Sequence, residues 1–211
     1  MDVLFHGLLG ALANTVGITL GALLVGLVLA VPVTWAARST SPAVSGAAVA
    51  FIQIVRSVPV LVWLFLIYFG LGGGMLPLPP FGAAVAGLGI VSSAYVAEIY
   101  RSGLAAIPAG QRDAIHSLAL PAGPALRRIL LPQLLPIVLP PLSSYTIGLL
   151  KDSALASIIG VKDLTAIGYD NAQTNMNGLL TFTIIGLIYI GLSVPVAALS
   201  RHVGNKVAAR A

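Results

Sequence analysis

Charged residues are missing from long stretches of this chain, and the lengths of those stretches carry information. Uncharged runs cover 3–37, 39–55, 57–97, 129–150 and 171–200. A helix rising about 1.5 Å per residue needs roughly 20 apolar residues to cross a hydrocarbon layer of about 30 Å. The third run is about twice that length, and it is broken at Gly70-Leu71-Gly72-Gly73-Gly74 and Pro77-Leu78-Pro79-Pro80, where glycine and proline mark a turn. The second run opens on Ser39-Thr40-Ser41-Pro42, a loop composition, so its span has to continue through Arg56. The pattern predicts five membrane helices, near 11–37, 45–70, 82–105, 128–150 and 178–200, in one domain over 1–211. The first run follows Asp2 rather than a basic stretch and far exceeds a signal-peptide core, so it is expected to be a span and not a cleavable leader.

Composition strengthens this picture. Of 211 residues 58% are hydrophobic and 8% are charged, against about 25% charged in an average soluble domain. A surface so poor in charge does not keep a soluble fold dispersed, and disorder is opposed because disordered chains are polar. With no cysteine, disulfide frameworks and thiolate metal sites are excluded. His6, His116 and His202 are scattered, so no metal site is expected. The fold class is all-α, integral to a membrane.

The net charge of +5 would suggest nucleic acid if the basic residues were not so unevenly placed. Arg38, Arg101, Arg112, Arg127, Arg128, Arg201, Lys206 and Arg210 fall at one set of helix ends, and Lys151 and Lys162 at the other. Basic loops stay cytoplasmic, which predicts an external N-terminus and a cytoplasmic C-terminus. The charge is accounted for by topology, and no nucleic-acid partner is expected.

The one sizeable cytoplasmic segment runs over 106–127. Pro108 suits a turn or a first helical turn because it has no N–H to donate. A short helix is predicted from Gln111 to Leu120, stopped by Pro121 and Gly123. Gly110, Ala114 and Leu118 share one face at helical spacing, while Arg112, Asp113 and His116 present polar groups elsewhere. Such a helix is either a docking element or a plain connector.

This stretch resembles the cytoplasmic loop of ATP-binding cassette importer permeases, whose pattern is Glu-Ala-Ala, a glycine further on, and a distal Ile-x-Leu-Pro. Asp113-Ala114-Ile115 stands where Glu-Ala-Ala is usual, Ala119 where glycine is usual, and Ile129-Leu130-Leu131-Pro132-Gln133 matches the distal end. Arg56-Ser57-Val58-Pro59 with Tyr68-Phe69-Gly70-Leu71, Ala94-Tyr95-Val96-Ala97-Glu98-Ile99-Tyr100-Arg101, and Leu150-Lys151-Asp152-Ser153-Ala154-Leu155 are similar to the polar amino acid branch. Ser144 departs from the asparagine common in that branch.

The resemblance implies a type I importer permease with five transmembrane helices in the inner membrane. It also implies a second permease subunit, identical or homologous, two ATPase subunits and an extracytoplasmic amino acid-binding protein. ATPase coupling would fall to Gly110, Gln111, Arg112, Asp113, Ala114, His116, Ser117, Leu118 and Ala119. The chain has no Gly-x-x-x-x-Gly-Lys-Ser/Thr phosphate loop, so no cofactor is expected on it, and ATP with its magnesium would belong to the partner. It also lacks the clustered nucleophile, base or metal ligands of an enzyme. The competing classes are a stand-alone channel or secondary carrier, and a permease for methionine, betaine or phosphonate.

Charged groups in spans are costly and usually pair or line a pathway. Lys151-Asp152 offers both signs to a zwitterion. Alternatively, Lys151 snorkels while Asp152 or Ser153 caps a short helix ending at Gly160. Arg56, three residues before Pro59, is placed to bond carbonyls freed by a proline kink. Glu98 and Arg101 are spaced to pair across one turn. Asn171–Asn177 reads as an external polar connector.

Overall fold

The computed structural model of the protein describes residues 2–71 and 78–208. All regular structure among them is helical: α1 (Asp2–Ala37), α2 (Pro42–Ser57), α3 (Val60–Phe65), α4 (Pro80–Ala106), α5 (Ala109–Ser117), α6 (Ala122–Ala125), α7 (Leu131–Asp152), α8 (Leu164–Asn175) and α9 (Gly178–Ala208). Two π-helical turns, Leu66–Leu71 and Leu126–Leu130, extend α3 and precede α7. A 3-10 turn, Ser153–Ile159, follows α7. Part of the turn predicted from glycine and proline, Gly72 to Pro77, lies outside the described residues, as does Arg210.

Four helices are long and apolar enough to cross a membrane, at Gly7–Ala37, Pro80–Ala106, Ala122–Ile159 and Gly178–Leu199. The second expected span is not one rod. It breaks between α2 and α3 with a bend of 103°. Pro59 has no N–H to continue the ladder, and Val58 before it is extended (φ −93°, ψ 133°), the conformation a following proline imposes. The indole Nε1 of Trp63 donates to the Val55 carbonyl at 3.1 Å and closes the corner.

The centre of the molecule is the pairing of α1 with α4. The two run parallel: Gly17 faces Phe81, Gly21 faces Val85, and Gly26 faces Ser92. A methyl on Gly26 would overlap Ser92, and one on Gly89 would sit 2.6 Å from Val25 Cγ1. Small residues let the two backbones approach, which is how helices gain packing inside a membrane. Buried Ile18, Ala22, Leu64, Leu88 and Leu149 fill the core that α1, α3, α4 and α7 share. The buried hydroxyl of Thr34 finds acceptors in the carbonyls of Ala30 (2.7 Å) on its own helix and Ala97 (3.3 Å) on α4.

Candidate functional site

Two regions bear on function: the exposed helix α5, and a set of polar side chains inside the bundle. The short helix begins after Pro108, as expected, but at Ala109 and not Gln111, and it ends at Ser117. The last predicted turn is replaced by a left-handed stop. Ala119 has φ 46°, Leu118 N–H donates to Ala114 O, and Leu120 N–H reaches back to Ile115 O at 3.1 Å. This six-to-one bond is the Schellman closure, whose left-handed position favours glycine. Ala119 therefore occupies the left-handed site, which explains in physical terms why glycine is usual there.

Gly110, Gln111, Asp113, Ala114, Ser117, Leu118 and Ala119 are all exposed. Leu118 is 70% accessible, and a side chain added at Gly110 would meet nothing within 4 Å. The backbone of Arg112 and His116 is helical, but their side chains lie outside the described residues. The face formed by Gly110, Ala114 and Leu118 thus points away from the bundle, linked to α4 at one end and to α6 and α7 at the other.

Arg56 is exposed and does not bond the carbonyls at the Pro59 break. Trp63 serves there, and the guanidinium lies over the ring of Tyr95, 5.1 Å from its centroid, within the range of a cation–π contact. Tyr95 stacks on Tyr145 of α7 with centroids 5.2 Å apart, and Tyr145 Oη donates to Ser92 Oγ at 2.8 Å. One turn along α4 from Tyr95, Glu98 accepts two bonds from Arg101, at 2.6 and 2.9 Å, the expected pairing.

Lys151 and Asp152 separate. Lys151 is exposed and lines a groove of about 460 Å³ between α7 and α9 with Ile147, Tyr189 and Ser193. Asp152 is half-buried and makes no capping bond. Ser153 is enclosed and its Oγ donates back to Leu150 O at 2.7 Å, so neither residue caps the following 3-10 turn, contrary to the structural reading above. That turn does end at Gly160, in the left-handed region (φ 94°).

The structure does not gather the five charged candidates into one pocket. It joins Arg56 and Glu98 on the α2–α4 side to α7 through the Tyr95–Tyr145 stack. Sequence reasoning quoted Tyr95 without giving it a role and passed over Tyr145, although aromatic rings within polar stretches of two spans are a usable signal. The connector expected over 171–177 is helical as far as Asn175, and only Met176 and Asn177 form the link to α9. Asn171 belongs to α8, is buried, and donates through Nδ2 to Thr181 Oγ1 at 2.9 Å. The Asp163 N-cap, whose Oδ1 accepts from Ala166 N at 2.8 Å, was the sequence signal for that helix.

The comparisons with known proteins match this architecture. The family model described as the binding-protein-dependent transport system inner membrane component matches residues 22–209. The arginine transport system permease protein ArtQ of Bacillus subtilis is 32% identical over 200 residues, spanning 94% of this chain and 91% of that protein. The probable glutamine ABC transporter permease protein GlnM of the same organism is 28% identical, spanning 93% and 88%. A solved amino acid ABC transporter superposes with a TM-score of 0.84 at 32% identity, covering 94% of this chain and 92% of that one. The inward-facing MetNI methionine ABC transporter shares the fold, with a TM-score of 0.83 at 20% identity over 98% and 99% of the two chains. This chain belongs to the inner membrane components of binding-protein-dependent transport systems: it is a non-catalytic, multi-pass permease subunit of an ABC importer, working with a separate ATPase and a binding protein.

Proposed function

We propose that this chain forms half of the translocation pathway for a polar amino acid, paired with a second permease subunit, identical or homologous. Two ATPase subunits drive it, and they bind the ATP and magnesium. An extracytoplasmic amino acid-binding protein delivers the substrate. The substrate class is supported by relatives about 30% identical over most of their length whose names carry arginine, cystine and glutamine. Arg38, Arg101, Arg127, Arg128 and Arg201 at one set of helix ends support an external N-terminus and a cytoplasmic C-terminus.

The observation that carries the coupling reading is α5, a short helix whose one face is exposed at Gly110, Ala114 and Leu118. Seated in a groove of the ATPase, it transmits ATP-driven closure to α4 and α7, the spans on either side of it. Because α1 packs on α4 through Gly26 and Gly89, those two helices move together. The Tyr95–Tyr145 stack, with the Tyr145–Ser92 bond, is the junction about which α4 and α7 turn. ATP and binding protein bias an existing equilibrium between inward- and outward-facing states.

Lys151, from its groove, offers an ammonium to the substrate carboxylate, and Asp152 and Glu98 are the anionic candidates for the substrate ammonium. Arg56, on the α2–α4 side, is a further cationic candidate, while Ser153 holds the turn behind Lys151. The test is reconstitution with the ATPase and candidate binding proteins, reading amino-acid-stimulated ATP hydrolysis. Gly110→Arg with Asp113→Arg should abolish ATPase association and transport. If both persist at wild-type level, α5 is not the coupling helix.

A further inference from the structure

The cytoplasmic ends of α1, α4 and α7 enclose a second groove, distinct from the one at Lys151. Its volume is about 270 Å³, and Val31, Trp35, Leu126, Leu131, Leu135 and Val138 form much of its wall. All these residues fall inside segments long and apolar enough to cross the membrane, so the groove opens toward hydrocarbon and not toward water. Its rim is different. Trp35 is 73% exposed, a position typical of indoles at the membrane–water boundary.

Arg38 continues the helical turn of α1, its N–H donating to Trp35 O at 3.2 Å, three residues beyond Trp35 and on the same side. Arg127 and Arg128 lie in the π-helical turn between Leu126 and Leu131, two residues of the groove wall. All three arginines are exposed, and none has a carboxylate partner among the described residues. An apolar slot inside the bilayer with three unpaired guanidiniums at its mouth complements one kind of occupant.

We infer that this groove is a binding site for an anionic phospholipid of the leaflet at the basic helix ends: one acyl chain lies between Trp35 and Leu135, and the phosphate rests on Arg38, Arg127 and Arg128. Guanidinium forks suit phosphate oxygens, and basic pockets between spans are a recurring way of holding anionic headgroups. The inference needs only the membrane setting of these helices and is independent of the transported substrate. It also gives the lipid a functional position, because Leu126–Leu130 is the segment through which α5 movement reaches α7.

The test uses the assembled transporter, permease with ATPase, in detergent, offered phosphatidylglycerol or phosphatidylcholine and examined by native mass spectrometry. Phosphatidylglycerol should be retained preferentially. Arg127→Gln with Arg128→Gln should cut that preference by roughly fivefold for each charge removed, the factor one basic residue contributes at an anionic surface. Arg201→Gln, at the same membrane end on α9, should leave it unchanged. Equal retention of the two lipids, or equal loss with Arg201→Gln, overturns the site. Cross-linking of two chains through Trp35→Cys would also overturn it, by showing that protein fills the groove.

Discussion

Asp163 is the charged side chain that the fold encloses completely, at 0% accessibility among the described residues. It lies outside the spans, at the start of α8. Its Oδ1 accepts from Ala166 N, while Oδ2 is buried with no hydrogen-bond partner. Burial pushes its carboxyl up from the ordinary 3.8 to about 6, against the opposing pull of the Ala166 N–H. Around it, Leu164 N–H donates to Thr15 Oγ1 at 3.2 Å, and Asn14 Nδ2 donates to Lys162 O at 2.9 Å, so α1 and the start of α8 are latched at this point. Tyr189 of α9 faces the same corner, bonded to Thr165.

Because folding raises this pKa, the folded state holds the proton more tightly than the unfolded chain. The stability this contributes is fully present below the unfolded value and is lost as pH rises through about 6. Thermal midpoints measured across that window should fall with rising pH in the wild type. In Asp163→Asn, whose amide oxygen still accepts from Ala166 N, the fall should be flattened. Parallel pH curves for the two proteins would mean that Asp163 is not the titrating group.

At the scale of the elements, hydrophobic run length carried most of the information. Helix α4 spans Pro80–Ala106 where 82–105 was expected, and α9 begins at Gly178, because in a bilayer the length of an apolar helix is the quantity that is selected. What the runs could not reveal was local backbone chemistry. The bend at Pro59 needs only one missing N–H, and the charge that breaks the run beside it, Arg56, was read as carried inside one continuous span. The helix α8 has the composition of a loop and is held by Asn171, Thr181 and the Asp163 cap. The cap is local and readable, whereas the Asn171–Thr181 bond joins two helices and is not displayed by the sequence.

The short helix α5 is an intermediate case, since its position was legible and its ending was not. The departure at Ala119 from the expected glycine has a measurable consequence. A non-glycine residue in the left-handed region costs about 1 kcal/mol, and here it closes a Schellman turn with few contacts to offset the strain. Ala119→Gly should relieve that strain. Hydrogen exchange of the Leu118 and Leu120 amides, both bonded back into α5, should slow by roughly fivefold, the equivalent of about 1 kcal/mol. Unchanged or faster exchange would show that the alanine turn is unstrained.

At the scale of the whole molecule, the separation between what was legible and what was not follows function. The segment around α5 was readable because its polar composition stands out from apolar neighbours. The junction of Arg56, Tyr95, Tyr145 and Ser92 was not, because it joins residues far apart in sequence that only the packing of α2, α4 and α7 brings together. All these assignments share one frame, the direction in which the chain threads the membrane, and the coupling mechanism needs α5 on the cytoplasmic side. The absence of cysteine from this sequence makes that direction measurable, since an introduced cysteine is the one thiol on this chain for a maleimide to label. Gly123 is exposed with open space around it, and Met176, at the end of α8, is 89% exposed. In intact cells a membrane-impermeant maleimide should label Met176→Cys, and it should label Gly123→Cys only after permeabilisation. The reverse pattern would put α5 outside the cell, where no ATPase could reach it, and the coupling proposal would fall with it.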